Sequence, residues 1–297
     1  MKMSAEYICP VLTAFHKDGS VDMEAMKALF DHLIEGGLDG IAIMGSSGEF
    51  YSMTLADAKA FAKASLAYLK GRIPVYVGTG RLTLEETVDL SSFALGCGAD
   101  GVMVVGPYYI GTDSEGIFSY YDQVAEKLPG DILLYNYPDR TGFDITSDIV
   151  LRLLERHSNI VGYKDTMAAP SHTRELIRSV KSVYPEFRVY SGYDDNFTHV
   201  LLSGGNGCIA ALSNLKPGLC AQWRDAWNRE DLGKVAEIQR IIDGLMDFYT
   251  ISTPFMPAMK YALQKIGFPI LADCKLPALP ASLIQRKKVE QLLEGIL

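Results

Sequence analysis

Metal and disulfide chemistry have little to work with in this sequence of 297 residues. Its five cysteines, Cys9, Cys97, Cys208, Cys220 and Cys274, are odd in number, scattered, and include no Cys-x-x-Cys pair. Neither a disulfide framework nor a zinc site is suggested, and reduced thiols in a cytoplasm are expected. The five histidines show no ligand spacing and the carboxylates no metal-like cluster, so metal-free chemistry without a cofactor is expected. No run of about 18 apolar residues could span a bilayer, and the first residues lack the apolar core of a signal peptide. Excess positive charge is missing too; with a formal net charge of -8, neither nucleic acid nor an anionic membrane, which would call for a clustered basic face, is an expected partner.

What is present is ordinary globular composition, with 48% hydrophobic and 22% charged residues. Gly37-Leu38-Asp39-Gly40-Ile41-Ala42-Ile43-Met44-Gly45 is nearly repeated as Gly98-Ala99-Asp100-Gly101-Val102-Met103-Val104-Val105-Gly106. In each, a helix ends on glycine and a short, wholly apolar strand runs into another glycine, the pattern of parallel strands covered on both faces. Similar runs are 74–78, 131–136, 160–164, 187–192 and 207–211, and Ile8 to Phe15 reads as a first strand broken by Pro10. Eight strands at mostly strand-plus-helix spacing predict a closed (β/α)8 barrel over residues 1–228. A doubly wound open sheet is the alternative, but no Gly-x-Gly-x-x-Gly loop follows the first strand.

The seventh helix, 194–203, must be brief, and the eighth is expected at Pro217 to Asn228. Residues 229–297 read as a helical region packed on the barrel, with helices at 232–249, 254–266 and 281–297 and a Pro-rich linker at 277–280.

In a barrel of this kind the useful polar residues are those at the carboxyl ends of strands. Ile160 to Lys164 is an apolar strand that closes on a lysine. Loss of hydration there favours the neutral amine, the form that attacks a carbonyl, so Lys164 is a candidate Schiff-base nucleophile. The plainer reading is a lysine in solvent paired with Asp165. Tyr135, about one strand-helix unit earlier, should end the adjacent strand, where a phenol beside an amine can shuttle protons; alone it reads equally as a core aromatic. Gly45-Ser46-Ser47-Gly48 is either an anion-binding loop or a plain turn. Glu49 is either a cap for the next helix or a structural hydrogen-bonding group. Arg140 is placed to reach a carboxylate on a substrate, or is simply solvated.

Gly45-Ser46-Ser47-Gly48-Glu49, Tyr135-Asn136-Tyr137-Pro138 with Arg140-Thr141-Gly142, and Gly162-Tyr163-Lys164-Asp165 together resemble the signature segments of the dihydrodipicolinate synthase and N-acetylneuraminate lyase family of class I aldolases. The resemblance implies a (β/α)8 barrel with a C-terminal helical region, in a homotetramer built from two dimers. It implies that Lys164 forms an imine with pyruvate or another 2-oxo acid and that Tyr135 relays protons. Ser46, Ser47 and Gly48 would form the carboxylate loop, Tyr109 would be lent to a neighbouring subunit, and Ile209 would offer a backbone carbonyl near the imine. Ser46 stands where the synthases commonly have threonine, and Gly78-Thr79-Gly80-Arg81-Leu82 lacks the asparagine of lysine-inhibited synthases.

Arg140 before Thr141-Gly142 resembles dihydrodipicolinate synthase. By contrast, Phe50-Tyr51, Lys164-Asp165-Thr166, Ser191-Gly192-Tyr193-Asp194-Asp195 and Thr253-Pro254-Phe255 look more like the 2-keto-3-deoxy sugar acid aldolases. The expected activity is therefore cleavage or formation of a carbon-carbon bond in a 2-keto-3-deoxy sugar acid. The alternatives are condensation of pyruvate with aspartate semialdehyde and N-acetylneuraminate cleavage.

Overall fold

The structure, a computed structural model, describes residues 4–295. The first half of the barrel comprises β1 (Glu6–Pro10), α1 (Met23–Glu35), β2 (Gly40–Ile43), α2 (Leu55–Leu69), β3 (Val75–Gly78), α3 (Leu84–Gly96), β4 (Gly101–Val105) and α4 (Ser114–Lys127). The second half runs through β5 (Ile132–Asn136), α5 (Pro138–Thr141), α6 (Ser147–Leu154), β6 (Ile160–Asp165), α7 (Pro170–Lys181), β7 (Arg188–Ser191), α8 (Phe197–Leu202), β8 (Gly207–Ile209) and α9 (Pro217–Asn228). The eight strands pair in sequence order, all parallel, and β8 closes on β1. This is the (β/α)8 barrel that the spacing predicts.

The repeated Gly-x-Asp-Gly motif has a physical explanation. Gly37 and Gly98 take left-handed conformations (φ 80° and 96°) that end α1 and α3 without the penalty a Cβ would carry. The aspartate two residues on then accepts the backbone N–H at the start of a neighbouring strand: Tyr7 to Asp39 and Val75 to Asp100, both at 2.7 Å. Closure depends on Gly207 (φ 144°), where a Cβ would lie 1.9 Å from the Glu6 carbonyl oxygen.

Two sequence boundaries move most. β1 stops at Pro10 rather than Phe15, because beyond Val11 the backbone turns to other partners: the Leu12 N–H donates to Asn214 at 3.0 Å and the Thr13 hydroxyl to the Gly48 carbonyl at 2.8 Å. Residues 11–15 are thus a buried loop rather than strand. The expected helix 232–249 divides into α10 (Leu232–Leu245) and α11 (Phe248–Ile251), and the break brings Tyr249 to the barrel mouth. There its hydroxyl accepts the Ala211 N–H at 3.0 Å and donates to the buried carboxylate of Asp194.

α12 (Met256–Lys265) begins two residues after Pro254 and carries Pro257 in its first turn, where a missing N–H is harmless. α13 (Leu283–Glu294) starts at a capping box on Ser282 and Gln285; residues 296 and 297 of the expected helix lie outside the described residues. The region after Asn228 also contributes to the core, through Val235, Ile238, Phe248, Met259 and Leu263. No helix among the described residues is long and apolar enough to cross a membrane.

Candidate active site

β5 and β6 carry the central pair. Their register shifts at Ile132/Leu133, so that Ile132 faces Ile160 but Leu133 faces Gly162. An unshifted ladder would set Tyr135 against Tyr163; the bulge advances β6 by one residue and sets Tyr135 against Lys164. The Lys164 amine lies 4.2 Å from the centroid of the Tyr135 ring, and the two residues are only 4% and 3% exposed. The Tyr135 hydroxyl in turn lies 3.2 Å from the Ser46 hydroxyl. Lys164 therefore does not sit in solvent with Asp165, whose carboxylate is taken by Asn136, His172 and Thr173.

These groups open into a cavity of ≈ 220 Å³ whose lining includes Ser46, Ser47, Tyr135, Arg140, Lys164 and Thr166. Its far wall comes from beyond the barrel, as Tyr249 and the segment Ser252 to Phe255. Thr166 is a further addition: the residue lines the cavity, and its hydroxyl is buried without a hydrogen-bond partner. Such an orphaned group awaits a partner from a ligand or water.

The Gly45–Gly48 loop is bracketed by two non-glycine residues in left-handed conformation, Met44 (φ 54°) and Glu49 (φ 56°). Strain of this sort persists only where surrounding contacts enforce it. The enforcing contact is Glu49, fully buried, which pairs with the equally buried Lys260 of α12 and accepts the Lys275 N–H at 2.9 Å. Glu49 is thus a structural ion pair, while the next helix is capped by Thr54.

Arg140 stands at the exposed rim on α5, 5.7 Å from the centroid of the Tyr137 ring. Tyr137 stacks on Tyr135 at 6.1 Å, and nearby Tyr193 has its phenol pushed up chiefly by burial.

Three of the residues expected at the site lie outside this lining. The Gly48 N–H closes a turn onto the Gly45 carbonyl at 2.9 Å and is therefore turned away from a ligand. Ile209 is buried in β8 opposite Ile8. Tyr109 does not line the chain's own cavity and is 87% exposed. Conversely, Tyr249 and residues 252–255 carried no strand-end signal, because they reach the mouth from the C-terminal region.

Competing nucleophiles are disfavoured. All five cysteines are free, and burial pushes the Cys9 and Cys208 thiols up, so they remain protonated. Among the described residues no group of three or more His, Cys, Asp or Glu side chains could hold a metal ion.

Comparison with known proteins identifies the family. Residues 3–296 match the model of the dihydrodipicolinate synthetase family. The chain is 39% identical to "Probable 2-dehydro-3-deoxy-D-pentonate aldolase YjhH" of Escherichia coli strain K12, covering 100% of this chain and 99% of that one. It is 34% identical to the 4-hydroxy-tetrahydrodipicolinate synthase of Kosmotoga olearia, over 96% of this chain and 95% of that one. Its fold superposes on the crystal structure of YagE of E. coli K12 in complex with pyruvate with a TM-score of 0.95, 35% identity and 98% coverage of both chains. The chain belongs to the dihydrodipicolinate synthetase family and is a lyase of its class I aldolase type.

Proposed function

We propose that Lys164 forms an imine with the 2-oxo group of a 2-keto-3-deoxy sugar acid, and that the enzyme cleaves the bond between C3 and C4 to release pyruvate and an aldehyde. The observation that carries this reading is the buried Lys164 amine 4.2 Å from the centroid of the Tyr135 ring, with the Ser46 hydroxyl 3.2 Å from that phenol. The amine attacks C2, and water leaves to give a protonated imine. Tyr135 gives its proton to the departing hydroxyl, and the resulting phenolate takes the proton from the C4 hydroxyl as the C3–C4 electron pair moves into the imine, leaving an enamine and the aldehyde. The enamine is protonated at C3, and water releases pyruvate and regenerates the amine.

In this scheme the Ser46 hydroxyl and the Ser47 backbone bind the substrate carboxylate, and Gly48 shapes their loop. Ile209 offers its carbonyl near the imine, and the partner subunit's Tyr109 completes the relay in a homotetramer. The chemistry calls for no cofactor or metal, and its expected compartment is the cytoplasm.

The choice of a sugar acid rests on the segments Phe50-Tyr51, Lys164-Asp165-Thr166 and Thr253-Pro254-Phe255, which look like those of sugar acid aldolases, and on the names of relatives. YagE, 36% identical over 97% of this chain, is named as a candidate 2-dehydro-3-deoxy-D-gluconate aldolase. Arg140 favours a second reading, the synthase condensing pyruvate with aspartate semialdehyde, because an arginine at the rim can meet the carboxylate of that aldehyde. N-acetylneuraminate cleavage is a third.

A pyruvate-release screen over 2-keto-3-deoxy sugar acids and N-acetylneuraminate, run beside a synthase assay, separates these readings. Release from a sugar acid is expected. Activity confined to pyruvate plus aspartate semialdehyde would overturn the choice of substrate and leave the imine intact.

A further inference from the structure

The residue after the candidate nucleophile belongs to a closed polar network outside the cavity. Asp165 is fully buried; its Oδ2 accepts the Thr173 hydroxyl at 2.7 Å and faces His172 Nδ1 at 2.8 Å. The other imidazole nitrogen, Nε2, faces Asp144 Oδ2 at 3.0 Å. Asn136, the residue after Tyr135, donates its amide to both carboxylates, at 2.8 Å to Asp144 and 3.2 Å to Asp165, and accepts the Ile145 N–H at 3.0 Å. The Asn136 carbonyl also accepts the Thr166 N–H at 2.9 Å.

Both imidazole nitrogens of His172 thus point at carboxylate oxygens, which only accept. A neutral imidazole can donate from one nitrogen, so this arrangement calls for the doubly protonated ring. We propose that His172 is a positioning residue of the imine site: as an imidazolium bridging Asp165 and Asp144, it holds the carboxyl ends of β5 and β6, and with them Tyr135 and Lys164, in reacting register.

The placement of the network supports this role over general packing. Its two anchors, Asn136 and Asp165, are a register pair, each one residue beyond the register pair Tyr135 and Lys164. Alternation along each strand sends the reacting side chains to the cavity and the anchors away from it. The bulge that sets this register lies three residues before Tyr135, at Ile132/Leu133, so the carboxyl end of the pair needs its own clamp. The titratable groups facing the ring are Asp144 and Asp165, and the buried Tyr163 phenol lies against the same two carboxylates. Hydrogen bonds to Asp144 and then Asp165 raise the imidazole to about 10, against the opposing effect of burial.

The inference rests on the imine reading above, and the test separates the two. Hydride capture of the pyruvate imine, timed by mass spectrometry between about pH 6 and 10, is compared in wild type, H172Q, D144N and H157Q. His157 bonds Asp122 at 2.7 Å in the loop before β6, at the opposite end of the barrel, and serves as a matched histidine–aspartate control. H172Q is expected to slow capture roughly 10- to 100-fold, the scale of a reacting group misplaced by about 1 Å, with little change in half-saturating pyruvate. H157Q should keep the wild-type rate. D144N, with one carboxylate neutralised, should lose capture at least about one pH unit lower than wild type, a shift that packing alone would not produce. Should H172Q not fold, the D144N pH profile carries the comparison. Capture by folded H172Q within about twofold of wild type across the range, or a D144N profile that coincides with wild type, would overturn the role of His172; no capture by wild type would instead overturn the imine.

Discussion

Tyr135 has its hydroxyl beside Ser46 and its ring under Lys164, so one phenol connects the Gly45–Gly48 loop to the amine. Replacing it with phenylalanine keeps the ring and removes the proton. Tyr135→Phe is therefore expected to lower kcat by about 10²- to 10⁴-fold, the usual contribution of positioned acid-base catalysis, while KM changes little. A large rise in KM with kcat preserved would assign the phenol to binding instead.

At this scale much of the site was legible. Lys164, Tyr135, Ser46, Ser47 and Arg140 end apolar strands or follow them in the loops, and the structure brings all five to one cavity. The unpartnered Thr166 hydroxyl was not singled out as a site residue, because an orphaned donor is recognised only when its surroundings are known. The turn at Gly48 is hidden for a similar reason. A glycine in a Gly-Ser-Ser-Gly loop looks like a ligand-facing N–H until the turn that consumes it is seen.

Between elements, the register of β5 against β6 decides which side chain meets Tyr135, and a bulge sets it. No residue pattern in an all-apolar strand announces one extra residue, so sequence could place Lys164 and Tyr135 on neighbouring strands but not face to face. The clamp on this register makes stability depend on pH. A histidine raised from about 6.5 to about 10 contributes its full stabilisation below about pH 6.5 and loses it as pH rises toward 10. The melting temperature of wild type, relative to that of H172Q, should accordingly decline across this window; a constant difference would mean the ring is neutral.

The Glu49–Lys260 pair is the other contact of this kind, joining the strained loop after β2 to α12 across most of the chain. Lys260→Met would leave Glu49 as a buried, uncompensated charge. The expected loss is about 3–5 kcal/mol, read from denaturant unfolding. A loss under about 1 kcal/mol would show that water reaches Glu49.

For the molecule as a whole, eight strands and their helices follow from glycine-ended apolar runs, and the closed barrel was predictable from their number and spacing. The part played by the C-terminal region was not. Tyr249 and residues 252–255 complete the cavity from far along the chain, and contacts of such separation leave no local pattern. Assembly is the remaining question at this scale. Tyr109 and Ile110 stand 87% and 68% exposed on the loop after β4, and the proposed relay takes Tyr109 from a second copy. Y109F and K164A should each be nearly inactive alone, yet a mixture refolded together should regain activity, because a mixed dimer contains one site with both groups. Absence of complementation in mixed oligomers would confine each site to one chain.

The proposed chemistry depends on a covalent bond at one nitrogen. The direct test is borohydride reduction in the presence of pyruvate, followed by peptide mass spectrometry. The account predicts a single reduced pyruvate adduct on Lys164, absent from Lys164→Ala. Unmodified Lys164 with pyruvate and with every 2-keto-3-deoxy acid that the enzyme turns over, or an adduct on another lysine, would contradict it.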